Sequence, residues 1–155
     1  MIIIGVVVGG LVLLAIVGIL AAIAIPNFLT AMQRSRQKRT MADLRTVATA
    51  LEAYATDKNE YPHASSVAEL SSVLSPVYIK RVPSVDGWGT PMKYECWPAD
   101  GTCNAYALGS AGADKNWEHS TLQDYATGTT THNFDADLIF ANGNFTQYPE
   151  GIQVQ

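Results

Sequence analysis

Two hydrophobic periodicities follow one another along the first third of the chain. From Met1 to Ile25 no side chain is polar or charged. At about 1.5 Å of rise per residue such a run makes a helix of roughly 37 Å, longer than the ~30 Å hydrocarbon core of a bilayer, so it predicts a membrane-crossing segment. A secretory signal peptide asks instead for a basic start, a shorter apolar run and a small-residue cleavage site, and the basic start is missing. Gly5 and Gly9 are four residues apart, as are Gly18 and Ala22. That spacing lets another backbone approach one face of the helix, although glycine is also simply common in membrane helices.

Beyond Pro26 the pattern changes. Leu29, Met32, Met41, Leu44, Val47, Ala48, Leu51, Tyr54 and Ala55 fall largely at intervals of three and four, the mark of an amphipathic helix with one buried stripe. Asp57-Lys58-Asn59-Glu60-Tyr61-Pro62 closes it. Joined across Pro26, where proline removes a hydrogen bond and bends or locally unwinds the helix, the two stretches form a rod on the order of 80 Å long. A domain of ~100 residues has a radius of gyration near 13 Å. Half of the rod must therefore protrude, to be covered by lipid or by copies of itself.

The remainder reads as short elements. Ser66-Val67-Ala68-Glu69 has capping-box spacing and leads into Leu70, Val73 and Leu74, which predicts a short helix before Pro76. Asn142-Gly143 joins Leu138-Ile139-Phe140 to Phe145-Thr146-Gln147-Tyr148, the strongest short hairpin signal. Met92 to Trp97 and Cys103 to Leu108 make a second predicted pair. Asp86-Gly87-Trp88-Gly89-Thr90-Pro91 reads as a turn with an aromatic plug, its indole expected in the core.

Composition sharpens this picture. With 155 residues, 48% of them apolar and 15% charged, the chain fits a single domain plus at most one appended segment, and disorder and collagen-like repetition are excluded. Charge is uneven: Arg34, Arg36, Lys38, Arg39 and Arg45 stand against Asp43 alone, whereas Thr46 to Gln155 carries five basic and thirteen acidic residues. A basic collar before an acidic body argues against a nucleic-acid binder. Cys96 and Cys103, with six residues between them, can meet across a turn as a disulfide or remain two buried thiols; the disulfide favours an oxidising, extracytoplasmic compartment. Without paired histidines they do not form a four-ligand zinc site. His63, His119 and His132 each stand alone in polar stretches, with no catalytic spacing nearby.

Gly18-Ile19-Leu20-Ala21-Ala22-Ile23-Ala24-Ile25-Pro26-Asn27-Phe28 resembles the membrane-helix signature of type IV pilins and type II secretion pseudopilins. Asp43-Leu44-Arg45, Leu51-Glu52-Ala53-Tyr54, Asn59-Glu60-Tyr61-Pro62, Asp86-Gly87-Trp88-Gly89-Thr90-Pro91 with Tyr94, and Phe134-Asp135-Ala136-Asp137 with Asn142-Gly143 and Tyr148-Pro149 are similar to the major pseudopilin subgroup. The resemblance implies an α+β, pilin-like subunit: a long N-terminal helix packed on a small antiparallel β-sheet, the helix lying in the core of a helical filament. Gly5, Gly9, Leu13, Ile16, Gly18, Leu20, Ala22, Pro26 and Phe28 are then the filament-core positions. The expected divisions are 1–25 for the apolar half of the helix, 26–57 for the amphipathic half and 58–155 for a globular head.

Two departures from the family accompany this. Aligning on Pro26 puts the family's mature start at Gly5 and its assembly glutamate at Gly9, so neither a basic leader nor that glutamate is read here. Either the chain is a mature product with a longer head, or it assembles without the acid, through its Gly5/Gly9 face. The second departure lies in the loop after Leu108. Ser110, Asp114, Asp124, Asp135 and Asp137 supply hard oxygens of the kind calcium requires, and the resemblance implies calcium here, with a backbone carbonyl near Leu108 contributing. The family's compact loop is replaced by a longer one holding Trp117, His119 and Thr127 to His132, which leaves solvated loop acids as the alternative; no EF-hand spacing is present.

The collar alone would hold the body in the cytoplasm by the positive-inside tendency; the disulfide and the resemblance place it outside. The reading is a non-enzymatic filament subunit, of either a pilus or a secretion pseudopilus. Its partners are itself, the bacterial inner membrane before assembly, and the pilus or type II secretion assembly machinery, and its destination is the periplasm or cell surface. A monomeric, membrane-anchored binding domain is the competing reading.

Overall fold

The computed structural model describes residues 2–154, with side-chain surroundings given for Gly5 and for residues 7–153. Met1, where the predicted apolar half begins, and Gln155, where the predicted head ends, lie outside the described residues. The chain divides into two compact units, Met1–Gln33 and Arg34–Gln155. Helix α1, Ile2–Lys58, supplies the described part of the first unit and the opening of the second, and it runs through Pro26. Around that proline, Asn27 Nδ2 donates to the Ile23 carbonyl (3.0 Å) and Thr30 Oγ1 to the Pro26 carbonyl (3.1 Å). These are local side-chain bonds to backbone of the kind that short polar residues make on helices.

In the second unit the predicted stripe is realised by burial. Leu44, Val47, Ala48 and Leu51 are buried and enter one core with Val67, Leu70, Leu74, Tyr94, Tyr106, Leu108, Leu138 and Phe140. Toward the N-terminus the covered face continues through polar side chains, Gln37 and Thr40. The short helix α2, Leu70–Leu74, contributes Leu70 and Leu74. Its start differs from an ideal capping box by one residue. Ser66 Oγ accepts from the Glu69 N–H at 3.4 Å, while the Glu69 carboxylate reaches back to the Ser65 N–H (2.7 Å) and hydroxyl (2.9 Å).

Five strands form one sheet in the order β1-β2-β4-β5-β3: β1 Lys93–Trp97, β2 Ala105–Ser110, β3 Thr129–Asn133, β4 Leu138–Ala141 and β5 Asn144–Val154. Both predicted hairpins are present. Cys96 pairs with Tyr106 across β1 and β2, and Ala141 with Asn144 across β4 and β5. In the second turn Asn142 and Gly143 adopt φ of 47° and 88°, the two positive values that a type I′ turn needs and that these residues tolerate.

The resemblance implies an antiparallel sheet, and the sheet is mostly so, with one exception: β3 pairs with β5 in parallel, Thr129 opposite Gln147 and Thr130 opposite Tyr148. Part of the stretch read as a loop, Thr127 to His132, is thus an edge strand. Three consecutive threonines, β-branched and suited to a pleated surface, explain why it can be one.

The Asp86–Pro91 turn docks on α1 by backbone contact. Asp86, almost fully buried, accepts the N–H groups of Trp88 (2.9 Å) and Thr90 (2.8 Å) on Oδ1 and the Ser110 hydroxyl (2.6 Å) on Oδ2. The Gly87 N–H donates to Thr40 Oγ1 at 2.8 Å, and that hydroxyl donates to the Arg36 carbonyl at 3.0 Å. Trp88 packs against the core, as the plug reading required.

Candidate assembly surface and oxygen-rich loop

The first unit offers almost nothing but apolar side chains to its surroundings. An 18-residue window of α1 near the N-terminus has a mean hydropathy of 2.9, and none of it is buried within the chain. Leu13 is 64% exposed, Leu20 62% and Phe28 65%, with Ile16, Ala22 and Pro26 exposed beside them. A Cβ placed on Gly5, Gly9 or Gly18 would meet nothing within 4 Å. These glycines therefore have no packing role inside the subunit, and the flat surface they leave is available to another backbone. Leu29 and Met32, the first two residues of the amphipathic stripe, are also uncovered.

Next along the helix comes the collar. Arg34, Arg36, Lys38 and Arg39 are exposed, and Arg39 Nε approaches Asp43 Oδ2 at 3.6 Å. Such a surface pair contributes at most about 1 kcal/mol. Further on, Arg45 stacks over the Phe145 ring, 5.0 Å from its centroid.

The oxygen-rich residues are dispersed more than their sequence suggests. Leu108 is a core residue of β2. The Ser110 hydroxyl is engaged by Asp86. Asp114 is exposed and accepts the Asn116 N–H at 2.9 Å, and Asp135 is exposed. Asp124 lies in the 3₁₀ turn Leu122–Asp124, accepting the Thr121 hydroxyl at 2.8 Å. Asp137 is fully buried. Its Oδ2 accepts the Glu118 N–H at 2.9 Å and a short hydrogen bond from the Tyr125 hydroxyl, whereas its Oδ1 is buried without a hydrogen-bond partner.

Burial raises the Asp137 carboxyl above the ordinary aspartate range; the bonds from Tyr125 and Glu118 oppose this, and the charges of Glu118 and Asp114 add to it. Burial, with the same carboxylate as acceptor, pushes the Tyr125 phenol up. A second, half-buried carboxylate contact joins α1 to the sheet, where the Glu52 oxygens accept from the hydroxyls of Tyr61 and Tyr106, each at 3.0 Å. Burial and this neighbour raise Tyr61 to about 12.

Cys96 and Cys103 are joined as a disulfide, and among the described residues no free cysteine remains. The closed loop is short, so replacing both by serine should destabilise the head by only on the order of 2 kcal/mol, the entropy a small loop removes from the unfolded chain; a urea midpoint comparison measures it. None of the three histidines stands alone. His63 lies against the disulfide, His119 meets Tyr125 edge-on at 4.7 Å, and His132 Nδ1 contacts the Glu150 carbonyl at 2.8 Å. Sequence spacing gave no sign of the first contact, because 33 residues separate His63 from Cys96.

A long helix with an uncovered apolar first half, opening an α+β head built on a mostly antiparallel sheet, is the architecture of a pilin-like filament subunit. Comparison with known proteins agrees. Residues 27–124 match the family described as type II secretion system (T2SS), protein G, and the chain belongs to that family. It is 27% identical over 129 residues to the type II secretion system core protein G of Aeromonas hydrophila, covering 74% of this chain and 90% of that protein. To the core protein G of Vibrio cholerae serotype O1 it is 30% identical over 115 residues, covering 67% and 77%. A shorter stretch of 51 residues is 41% identical to the type IV major pilin protein PilA of Myxococcus xanthus, covering 33% of this chain and 23% of the pilin. The chain is thus a structural subunit of the pilin and pseudopilin class, and the anchored monomeric binding domain is not favoured.

Proposed function

We propose that the chain polymerises through the first half of α1 into an extracytoplasmic helical filament of a type II secretion or related pilus system, drawn from subunits held in the bacterial inner membrane. The observation that carries this is the wholly unburied apolar window at the start of α1. In the bilayer lipid covers it; outside the bilayer only other copies can. At about 25 cal/mol per Å² of apolar surface, a few hundred Å² against each neighbour contributes several kcal/mol. The disulfide supports a head outside the cytoplasm, and the basic collar then faces acids on neighbouring heads or solvent. Polymers held this way dissociate in mild detergent but survive molar salt. Sedimentation of sheared material under the two conditions tests it, and dissolution by salt alone would contradict an apolar core.

Asp137 supports a calcium reading of the loop. A buried, unpartnered carboxylate oxygen beside the charges of Asp114 and Glu118 is the environment a hard cation relieves. Asp114 and Asp137 are the residues that would hold it, and the cation would supply charge neutralisation. Because the Asp137 carboxyl is raised in the fold, the folded state holds its proton more tightly than the unfolded chain. Its contribution to stability therefore falls as pH rises from the ordinary aspartate value through the raised one. Without calcium, wild type should lose stability relative to Asp137→Asn across that window, and calcium should remove the difference and raise Tm. Melting curves identical in chelator and in excess calcium would reject the site.

A further inference from the structure

Among the described residues, three metal-ligating side chains gather at one place: His63, Cys96 and Cys103, whose ligand atoms lie within 4.8 Å of one another. His63 Nδ1 is 3.4 Å from Cys103 Sγ and 3.8 Å from Cys96 Sγ. A tetrahedral zinc, with Zn–S of ~2.3 Å and Zn–N of ~2.0 Å, separates sulfur from nitrogen by about 3.5 Å and sulfur from sulfur by about 3.8 Å. The nitrogen thus already stands at ligand spacing, and the two sulfurs, on Cα atoms 5.7 Å apart, reach theirs once the bond between them opens.

The surroundings favour ligation. Chain on both sides of the cluster is pinned: the Tyr61 N–H donates to the Cys103 carbonyl at 3.0 Å, and the Tyr94 hydroxyl donates to the Pro62 carbonyl at 2.7 Å. His63 Nε2 sits 2.8 Å from the Gly101 carbonyl, the contact by which a ligating histidine gives its other N–H to the backbone and fixes its tautomer. Nε2 is also 3.6 Å from Cys103 Sγ, so the ring lies over that sulfur and must turn to aim Nδ1. The side chain is exposed and borders a recess of about 610 Å³ lined also by Tyr94, Glu95, Ala99 and Gln123. That leaves room for the turn and for a water as fourth ligand.

We infer that in the dithiol state His63, Cys96 and Cys103 form a site for a thiophilic divalent cation, zinc being the type, and that disulfide formation expels it. The interconversion balances as follows. A dithiol reductant transfers two electrons and two protons to the Cys96–Cys103 bond, giving two thiols and its own disulfide. The cation then displaces two thiol protons and takes the imidazole lone pair. Oxidation of the two thiolates by an incoming disulfide removes two electrons and releases the ion. The site is therefore a clasp between the segment after α1 and the β1–β2 hairpin that a subunit uses before it is oxidised.

The test is a cobalt(II) titration of the full chain in detergent micelles, with the disulfide intact and after reduction by a phosphine, the thiols counted by alkylation. Reduced protein should bind one cobalt with tetrahedral visible absorption and thiolate-to-metal charge transfer, bands the oxidised protein lacks. His63→Ala should weaken binding at least about tenfold with only the small shift in the melting curve of the oxidised protein that loss of one exposed contact to Gly101 brings, and zinc should raise the Tm of the reduced wild type but not of this variant. Absence of charge-transfer bands in the reduced wild type, or equally tight binding by His63→Ala, as from two thiols of an unfolded head, would overturn the site.

Discussion

Leu13→Asp will leave the subunit in the membrane fraction, with its head folded and oxidised, and will abolish filaments. Leu13 lies near the middle of the apolar run and is exposed along its side chain, so in any polymer built on α1 it enters a packed, dry environment. A carboxylate there costs roughly 2.5–3.5 kcal/mol on membrane-insertion scales. Every subunit in the polymer carries the cost, which offsets a large share of the several kcal/mol that each neighbour's apolar contact contributes. Ile16→Asp and Leu20→Asp should behave alike. Gly9→Leu should impair assembly if the open glycine face is where another helix approaches, since its Cβ meets nothing within the subunit. Pelleting of sheared material reads assembly, and alkylation of Cys96 and Cys103 reads head folding. The fragment Arg34–Gln155, a compact unit with its own core, should be soluble and melt as in the full chain.

The largest expected loss within the head comes from a single methyl group. A Cβ on Gly87 would stand 2.4 Å from the Arg36 carbonyl oxygen and 2.9 Å from the Arg36 carbonyl carbon. Both are helix backbone, which cannot swing aside as a side chain can. Gly87→Ala must therefore push the Asp86–Pro91 turn off α1, stretching the Gly87–Thr40 bond and disturbing the buried Asp86 with its three donors. Overpacking of this kind costs about 3 kcal/mol, which for a domain of this size lowers Tm by roughly 10–20 °C. Thermal melting of the Arg34–Gln155 fragment measures it. A neighbouring control is Gly89→Ala, where nothing lies within 4 Å and only the positive φ of 82° is strained; its loss should be smaller.

Which parts of this molecule could be read in advance follows from the range of the signals. The two halves of α1 were legible because helical periodicity and uninterrupted apolarity are local and long. The β4–β5 hairpin was legible because Asn142 and Gly143 are the residues that its turn conformation selects. β3 was not, since a parallel pairing with β5 across the intervening β4 leaves no local turn signature, and a threonine run reads equally well as loop. The approach of Gly87 to Arg36 was hidden for a different reason: a glycine demanded by a distant backbone looks like one demanded by a turn. Asp137 illustrates the same limit. Its acidic neighbours Asp114 and Asp135 suggested a cluster by composition, yet the groups that meet it are the Tyr125 hydroxyl and the Glu118 N–H, delivered by the longer loop itself.

The central claim is that copies of this chain bury one another's apolar helix halves outside the membrane. Electron microscopy of filaments sheared from cells producing the wild-type chain tests it most directly. The account predicts helical filaments in which the residues before Gln33 pack along the axis and the α+β heads line the outside. A wild-type chain found outside the membrane only as dispersed monomers, or filaments whose axis is formed by the heads, would contradict it.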